Sequence, residues 1–393
     1  MAATSGPPGA GGAPRYREAG VDLEKKGALV QHLARLAGGT GSAGVLEGVG
    51  GFAGLLALRD AAPQVRDPVL VAGADGVGTK IALLASLGRH RVAGIDCVAM
   101  CANDVLAAGG QPLLFLDYLA MGRLDEAVVA QVVEGIAEGC RQAGCVLLGG
   151  ETAEMPGIYP DGVYELAGFC VGVADRARFV STPAAPDGPG MQARPGDVLV
   201  GLASSGLHAN GFSLVRRILA ESGTPLDEPV PWAAPGEAAP TLGEALTAPT
   251  RIYAGPLLAL GAVVEVHALA HITGGGLPDN LARVLPAGCR AVIREGSWPR
   301  PAVFDWLREA GGLAREEMYR VFNMGIGMVV AVSPEDAEPA LAVLASSGQP
   351  AWVIGTVEPA PEGPEGGQPE GRLRFGPSAK RPLAGGWVEI VED

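Results

Sequence analysis

The chain has 393 residues, enough for two domains with separate cores, and 48% of them are apolar whereas 18% are charged. This composition excludes disorder throughout, although 60 glycines and 32 prolines indicate many turns. A formal net charge of −14 argues against a sequence-independent nucleic-acid binder, which needs a basic surface. The apolar runs are too short to span a bilayer, and the N-terminus lacks a secretory signal. Six cysteines without zinc-type spacing indicate core thiols and a reducing cytoplasm.

Shifts in composition divide the chain into five segments. Pro/Gly-rich stretches at 1–15 and 358–393 are expected to be a disordered N-terminal tail and a loosely packed C-terminal tail. A third such stretch, 181–196, reads as a linker between domains at 16–180 and 197–357.

Hydrophobic periodicity predicts alternating strands and helices in both domains. The first half is predicted to hold strands at Val69–Ala74, Val92–Ile95, Leu113–Leu119, Val146–Leu148 and Glu165–Val173, with a helix between Leu124 and Gly144. The second half is predicted to hold strands at Asp197–Leu202, Val263–Val266, Ala291–Arg294, Ile326–Val332 and Ala351–Val357, with helices at Gly211–Leu219, Pro278–Leu285 and Pro334–Leu344. Two α+β domains with mixed sheets fit this order better than one doubly wound sheet.

The densest polar motif is the loop GADGVGTK (73–80), which follows an apolar strand and imitates a phosphate-binding loop. The carboxylate of Asp75 would repel a phosphate there unless a metal ion intervenes. Two interpretations stay open. Either Asp75 binds Mg²⁺ while Lys80 contacts phosphate oxygens, or the loop is a tight turn with a solvated lysine.

Two further acidic elements follow in the first half. If Asp96 caps a helix, Asn103 lies almost on the same face with Asp104 beside it, and a hard cation would satisfy these oxygen ligands. The alternative is that Asp96 is only a helix cap and the other two face solvent. The loop Gly149-Gly150-Glu151 follows a strand and suits close approach to a ligand, or is a plain loop. A glycine loop at 48–53 is set aside as a dinucleotide site because no strand is predicted before it.

Two loops of the second half combine histidine with glycines before a helix. In SSGLHANG (204–211) the hydroxyls and free N–H groups predict an oxyanion or phosphate pocket, where His208 could donate to a ligand or shuttle a proton. The loop HITGGG (271–276) has the same character. Each histidine could instead be structural, and neither has a neighbour at metal-ligand spacing.

Together these motifs resemble the phosphoribosylformylglycinamidine cyclo-ligase family. The resemblance is carried in order by DGVGTK (75–80), GIDCVAMCANDVL (94–106), LLGGETAEMPG (147–157), AGFCVGV (167–173), SSGLHANGFSLVR (204–216), APTRIY (248–253) and HITGGG (271–276). EMYRVFNMGIGM (317–328) extends it, so that it covers roughly residues 16–357.

The resemblance implies an ATP-dependent ring closure in de novo purine biosynthesis. ATP would activate the formyl-amide oxygen of formylglycinamidine ribonucleotide, the ribose-bearing nitrogen would attack, and 5-aminoimidazole ribonucleotide, ADP and phosphate would leave. The implied fold is an N-terminal α+β domain, whose sheet joins that of a second copy in a dimeric β-barrel core, and a C-terminal α/β domain. Selenophosphate synthetase, hydrogenase-maturation dehydratase and thiamine-phosphate kinase share this fold, with ATP in a groove at the dimer interface.

The same resemblance implies roles for individual residues. It implies catalytic roles for Lys80, Asp104 and His208, and Mg²⁺ ligands at Asp75, Asp104 and Glu151. It implies ATP contacts at Asp75, Gly76, Gly78, Thr79, Lys80, Asp96, Asn103, Gly149, Gly150 and Glu151. It implies substrate contacts at Ser204, Ser205, Gly206, His208, Asn210, His271, Thr273, Gly274 and Gly275. The expected cofactors are ATP and Mg²⁺, and the expected assembly is a cytoplasmic homodimer without membrane or nucleic-acid partners.

Two other readings compete with the cyclo-ligase. One is another ATP-dependent enzyme of the same fold, such as a small-molecule kinase or selenophosphate synthetase. A selenophosphate enzyme would carry a reactive cysteine near its N-terminus, whereas the first cysteine here is Cys97. The other is a non-catalytic nucleotide-binding scaffold, which has no need to crowd Asp75, Lys80, Asp104 and Glu151 together.

Overall fold

A computed structural model of the chain describes residues 23–41, 44–177, 192–234, 236, 238–360, 371–376 and 386–392. The tail expected at 1–15 and most of the linker expected at 181–196 lie outside these residues. In the part that is described, no helix is both long and apolar enough to cross a bilayer.

The first half forms an open sheet covered by helices. Its elements are α1 (Leu23–Gly38), β1 (Val45–Glu47), β2 (Leu55–Leu56), α2 (Leu58–Ala61), β3 (Pro68–Gly76), α3 (Lys80–Ser86), α4 (His90–Ala107), β4 (Gln111–Met121), α5 (Glu126–Ala143), β5 (Val146–Glu154) and β6 (Tyr164–Asp175). The main sheet has the order β3-β6-β4-β5, with β4 and β5 parallel and the other pairs antiparallel. Among the described residues this sheet is not closed into a barrel, since β3 and β5 remain its edges.

The strand predicted at Val92–Ile95 is wrong, because these residues lie in helix α4. This helix is buried on nearly every side, because it packs on β3 and β6, on α5 and on elements of the second half. A helix that is hydrophobic all round gives no amphipathic signal, so its first two turns resemble a buried strand. Asp96 therefore lies inside the helix and does not cap it. Helix α5 approaches closely at Gly94 and Gly135, where an added Cβ would lie 2.1 Å from Val132 O and 1.9 Å from Arg91 O respectively.

Helix α5, in contrast, follows its local signals. The Asp125 carboxylate accepts hydrogen bonds from the N–H groups of Ala127 and Val128, and Gly144 ends the helix in the left-handed conformation. All six cysteines are buried and form no disulfide, five in the first half of the chain and Cys289 in the second, as the composition indicated.

The second half is built on a seven-stranded mixed sheet. Its elements are β7 (Val198–Ala203), α6 (Phe212–Ser222), α7 (Leu242–Leu246), α8 (Ala254–Gly261), β8 (Val266–His271), α9 (Gly276–Leu281), β9 (Cys289–Arg294), α10 (Ala302–Gly311), α11 (Arg315–Val321), β10 (Ile326–Val332), α12 (Ala337–Ser346), β11 (Ala351–Pro359), β12 (Arg372–Phe375) and β13 (Trp387–Val391). The strand order is β12-β13-β9-β11-β7-β10-β8, in which β13 and β9 are parallel.

The last two strands differ from the tail expected at 358–393. Strand β13 pairs with β9 inside the sheet, and Val388, Glu389 and Ile390 are fully buried. Glu389 forms ion pairs with Arg290, Arg372 and Arg374. The Pro/Gly-rich composition of this segment did not indicate its two short strands, of which β13 pairs with the distant strand β9. The expected domain boundary at 357 therefore cuts through one continuous sheet.

Candidate functional site

The candidate site lies where the two domains meet. Helix α4 packs on the first sheet and also contacts β8 and α8 of the second domain. The loop after β3 enters this junction, since Thr79 Oγ1 lies 3.0 Å from Ser213 Oγ at the start of α6. Gly78 has a φ of +65°, and a Cβ added there would lie 3.9 Å from Ala209 O. The glycine loop of the first domain therefore faces the histidine loop of the second.

Two carboxylates occupy the first-domain side of this junction. Asp75 lies at the end of β3 and accepts a hydrogen bond from the N–H of Gly76 at 2.7 Å. Asp104 lies on α4, and its Oδ1 is 2.8 Å from His271 Nδ1 in the second domain. Burial raises the pKa of Asp75, the Gly76 N–H opposes this rise, and the nearby Asp104 charge adds to it. Two acidic groups that repel each other at a domain junction are suited to holding a cation.

Glu151 does not join these carboxylates within one chain. Asp75 is in register with Gly168, Asp117 and Gly150 on the neighbouring strands, so all four side-chain positions lie on the same face of the sheet. This is the face covered by helices, because a Cβ added to Gly168 would lie 2.9 Å from Cys97 Sγ of α4. Glu151 is the next residue along β5, so it points to the opposite, exposed face. Three strand intervals also put about 14 Å between the backbones of β3 and β5. Among the described residues no group of three or more histidine, cysteine, aspartate or glutamate side chains is placed to hold a metal ion.

Gly149 and Gly150 line a separate cavity of about 290 Å³. Its other walls include Gly50 and Gly51 of the loop at 48–53 and the buried Asp117. Strand β1 does precede that loop, contrary to expectation, but the chain continues into β2 and forms no helix of the dinucleotide type. Burial raises the pKa of Asp117 to about 7, and the Glu151 charge adds to the rise.

Lys80 is not placed to contact a ligand, which differs from its expected roles in catalysis and ATP binding. Its side chain is fully buried, with Nζ 2.7 Å from Asp96 Oδ2, and it donates a hydrogen bond to Ala248 O at 2.8 Å. The contact with Asp96 is an ion pair whose geometry is not aligned for a hydrogen bond. Burial lowers the pKa of Lys80 and the Asp96 charge opposes this.

Asp96 and Asn103 also contact the protein rather than an open ligand space. Asp96 Oδ1 accepts from the N–H of Thr250 at 2.7 Å. Asn103 donates to Arg251 O at 2.8 Å and accepts from the N–H of Tyr253 at 3.1 Å. Both side chains are fully buried. The sequence correctly marked these residues as needing partners, and the partners are the Lys80 ammonium and backbone groups at 248–253.

The loop 204–211 holds His208 in a conformation that few side chains adopt. Its φ is +62° and its ring is buried. Nε2 accepts a hydrogen bond from the Ser205 N–H at 3.2 Å, so the ring proton lies on Nδ1, which has no partner among the described residues. Burial lowers the pKa of His208 well below 6.5, and the positive charges of Lys80 and Arg251 lower it further. His208 is therefore a neutral hydrogen-bond donor at pH 7.

The loop 271–276 brings two more buried polar atoms to the same junction. His271 directs Nδ1 to the Asp104 carboxylate, which leaves Nε2 buried and without a partner in the described structure. The same holds for Asn210 Nδ2. A Cβ added to Gly274 would lie 3.5 Å from Asn210 Oδ1, so the two loops are adjacent. Thr273 and Gly275 complete the turn into α9. Buried polar atoms that lack partners are rare in folded proteins and commonly await a ligand.

Two residues that the sequence did not single out shape this pocket. Asn323 donates to Gly206 O at 2.9 Å and accepts from Ser204 Oγ at 3.2 Å, which fixes the turn before His208. Gly327 leaves room for that ring, because a Cβ there would lie 2.4 Å from His208 Cε1 and 2.1 Å from the Tyr253 hydroxyl. Both belong to the motif at 317–328, and the glycines of that motif are the feature of the sequence that could have indicated a ligand site here.

Comparison with family models matches both halves of the chain. Residues 58–174 match the N-terminal domain of AIR synthase related proteins, and residues 194–364 match their C-terminal domain.

Curated relatives align over almost the whole chain. A phosphoribosylformylglycinamidine cyclo-ligase of Nitrosococcus oceani is 51% identical over 353 residues, which is 90% of this chain and 94% of that protein. An enzyme of the same name from an Anaeromyxobacter species is 52% identical over 343 residues, 87% of this chain and 95% of that protein.

Solved structures of lower identity share the fold. A thiamine-monophosphate kinase from Stenotrophomonas maltophilia superposes with a TM-score of 0.59 at 19% identity, covering 83% of this chain and 93% of that one. The hydrogenase maturation protein HypE in complex with ATP gives 0.57 at 18% identity, covering 89% and 88%. At these identities the likeness concerns architecture only.

Proposed function

Because the chain belongs to the phosphoribosylformylglycinamidine cyclo-ligase family, we propose that it closes the imidazole ring of 5-aminoimidazole ribonucleotide. The substrates are formylglycinamidine ribonucleotide and ATP, and the other products are ADP and phosphate. This is a ligase reaction of de novo purine biosynthesis, which we place in the cytoplasm.

The observation that carries the proposal is that three buried atoms of the two histidine loops, on His208, Asn210 and His271, have no partner among the described residues. His208 Nδ1–H and Asn210 Nδ2–H can donate to oxygens of a substrate, and His271 Nε2 can accept from one of its N–H groups. A substrate with phosphate, amide and amidine groups offers both kinds of partner. Hydrogen bonds that already point at the reacting groups stabilise charge developing during ring closure.

The nucleotide side of the site is formed by the loop after β3 and by Asp104. Mg²⁺ commonly uses one or two protein carboxylates together with phosphate oxygens, so Asp75 and Asp104 fit the ion without Glu151. When bound, it would neutralise charge on the transferred phosphoryl group. Gly76, Gly78 and Thr79 leave the backbone accessible beside this position. His271 orients Asp104 through their 2.8 Å contact.

We place a second copy of the chain on the exposed face of the first sheet. Leu70, Tyr118 and Phe169 lie on this face and are 66%, 36% and 44% exposed. An antiparallel sheet tolerates one solvated face when that face is polar, whereas apolar side chains there favour an interface. Two such sheets packed together give a barrel at the dimer centre. Glu151 lies on the same face, so it would reach a nucleotide at the interface rather than the Asp75 pair of its own chain.

The enzymatic proposal is tested by incubating the protein with Mg²⁺-ATP and formylglycinamidine ribonucleotide. We expect ADP together with an aminoimidazole that is detected by diazo coupling. Asp104→Asn should lower turnover strongly, because it removes a charge from the cation position. Asp197→Asn is a matched control, since Asp197 contacts His267 Nδ1 at the same 2.8 Å distance but outside the junction. ATP binding without an aminoimidazole product would refute the cyclo-ligase assignment.

The dimer is tested separately by light scattering coupled to size exclusion. We expect twice the chain mass for the wild type and a monomer for Phe169→Lys. A wild-type monomer at micromolar concentration would remove the proposed interface.

A further inference from the structure

Three buried polar side chains of the first domain remain unused by the proposed reaction. Lys80, Asp96 and Asn103 are fully buried at the domain junction. Burying an ammonium, a carboxylate and an amide is unfavourable unless each finds partners. Their hydrogen-bond partners all lie in the other domain, in the segment 248–253 with the sequence APTRIY.

The contacts recognise the backbone of that segment and not its side chains. Carbonyl oxygens at 248 and 251 accept from Lys80 and Asn103, and N–H groups at 250 and 253 donate to Asp96 and Asn103. Four hydrogen bonds over six residues fix both the position and the direction of this segment. The Lys80 ammonium also lies 5.5 Å from the centroid of the Phe212 ring, which belongs to the second domain.

The other side of the segment touches the substrate loop. Ser205 Oγ donates to Pro249 O at 2.5 Å, and the Tyr253 hydroxyl donates to Ala203 O at 3.0 Å. The rings of Tyr253 and His208 are tilted against each other with centroids 6.3 Å apart. A shift of the segment would therefore move the residues just before His208 and the Tyr253 ring beside it.

We infer that Lys80, Asp96 and Asn103 form an interdomain latch that positions the 248–253 segment and, through it, the His208 loop. They are positioning residues that act through Ser205 and Tyr253 and touch neither substrate nor nucleotide. This inference deepens the proposed function and rests on it for its catalytic consequence. Its structural part, the clamping of 248–253 by α3 and α4, is independent of the reaction.

Asn103→Leu tests the latch, because leucine has a similar volume but makes neither hydrogen bond. We expect faster amide exchange across 248–253 and a fall in kcat of about 10–100-fold, the size produced by misplacing a catalytic group. The dissociation constant of a non-hydrolysable ATP analogue should stay unchanged, since the latch does not contact the nucleotide. If this variant does not fold, Asn103→Ser replaces it, because its hydroxyl is too short to bridge both backbone groups.

Val129→Ala is the control for a purely structural effect. Val129 is fully buried in α5, outside the latch and the ligand loops. The inference is overturned if Asn103→Leu lowers kcat no more than Val129→Ala does when the two variants have equal thermal stability. Unchanged exchange at 248–253 would also overturn it, as would a parallel loss of analogue binding, which would indicate a direct ligand contact. If the wild type makes no aminoimidazole, the proposed function fails, while the exchange measurement still decides the latch.

Discussion

The buried ion pair between Lys80 and Asp96 makes the sharpest prediction about stability. Both side chains are 0% exposed and their charged atoms are 2.7 Å apart. Lys80→Met keeps most of the volume of the side chain but leaves the Asp96 carboxylate buried without its countercharge. Removing one partner of a buried pair costs about 3–5 kcal/mol, whereas removing a solvent-facing lysine that awaits a phosphate would cost about 1 kcal/mol or less.

The double variant Lys80→Met/Asp96→Leu separates the ion pair from general damage to the junction. Removing both charges eliminates the unpaired carboxylate. The Ala248 carbonyl, which has already lost its partner in Lys80→Met, and the N–H of Thr250 are then left unpaired, at about 1–3 kcal/mol each. The double variant should therefore be at least as stable as Lys80→Met, and far more stable than the sum of the two single losses predicts.

Urea unfolding followed by tryptophan fluorescence provides the measurement. A loss below about 1 kcal/mol in Lys80→Met, within the range of an exposed pair, would refute the buried pair and restore Lys80 as a ligand-binding residue. Strictly additive single losses in the double variant would show that the two groups do not interact.

Three other changes have defined outcomes. The pKa of Asp117 is raised from 3.8 to about 7 in the folded protein, so between these pH values the folded state binds one proton more than the unfolded state, and stability falls as the pH rises. Asp117→Asn should remove this difference in stability between melting curves at pH 5 and pH 8. An unchanged pH dependence in the variant would contradict the prediction. Glu389→Ala removes a fully buried carboxylate that pairs with Arg290, Arg372 and Arg374, and should destabilise the protein by about 1–3 kcal/mol in urea; a loss near zero would mean that these ion pairs contribute little to the stability of the sheet. Gly327→Ala should lower kcat strongly by displacing His208, because the added Cβ would lie 2.4 Å from Cε1; wild-type kcat in steady-state assays would show that the ring can move without consequence.

Local signals predicted those elements whose ends or faces are marked in the sequence. Strand β10 was predicted with its observed bounds, Ile326–Val332, because it is a continuous apolar run between turn residues. Helix α5 was predicted because Asp125, Gly144 and a regular apolar face mark its ends and its buried side. The caps of α5 and the apolar run of β10 are local features of the sequence, although β10 forms its backbone hydrogen bonds with the distant strands β7 and β8.

The failures share a non-local cause. Helix α4 is buried by elements of both domains, so its sequence lacks the polar face that identifies a helix. Strand β13 acquires its partner β9 from about 100 residues earlier in the chain, which no local composition reveals. Glu151 was grouped with Asp75 because both follow strands, yet the alternation of side chains along a strand sends them to opposite faces.

The sequence by itself determined the family and the α+β class and indicated the loops proposed to carry the chemistry, because those motifs are contiguous and need no knowledge of the fold. It also marked Asp96, Asn103 and Asp104 as polar groups that require partners. Only the tertiary structure decided which partners they have. Folding brings the 248–253 segment, some 150 residues away in the chain, against α4 and satisfies Asp96 and Asn103 with backbone groups. In the two histidine loops, buried atoms of His208, Asn210 and His271 keep no partner among the described residues, and a ligand bound there would supply one.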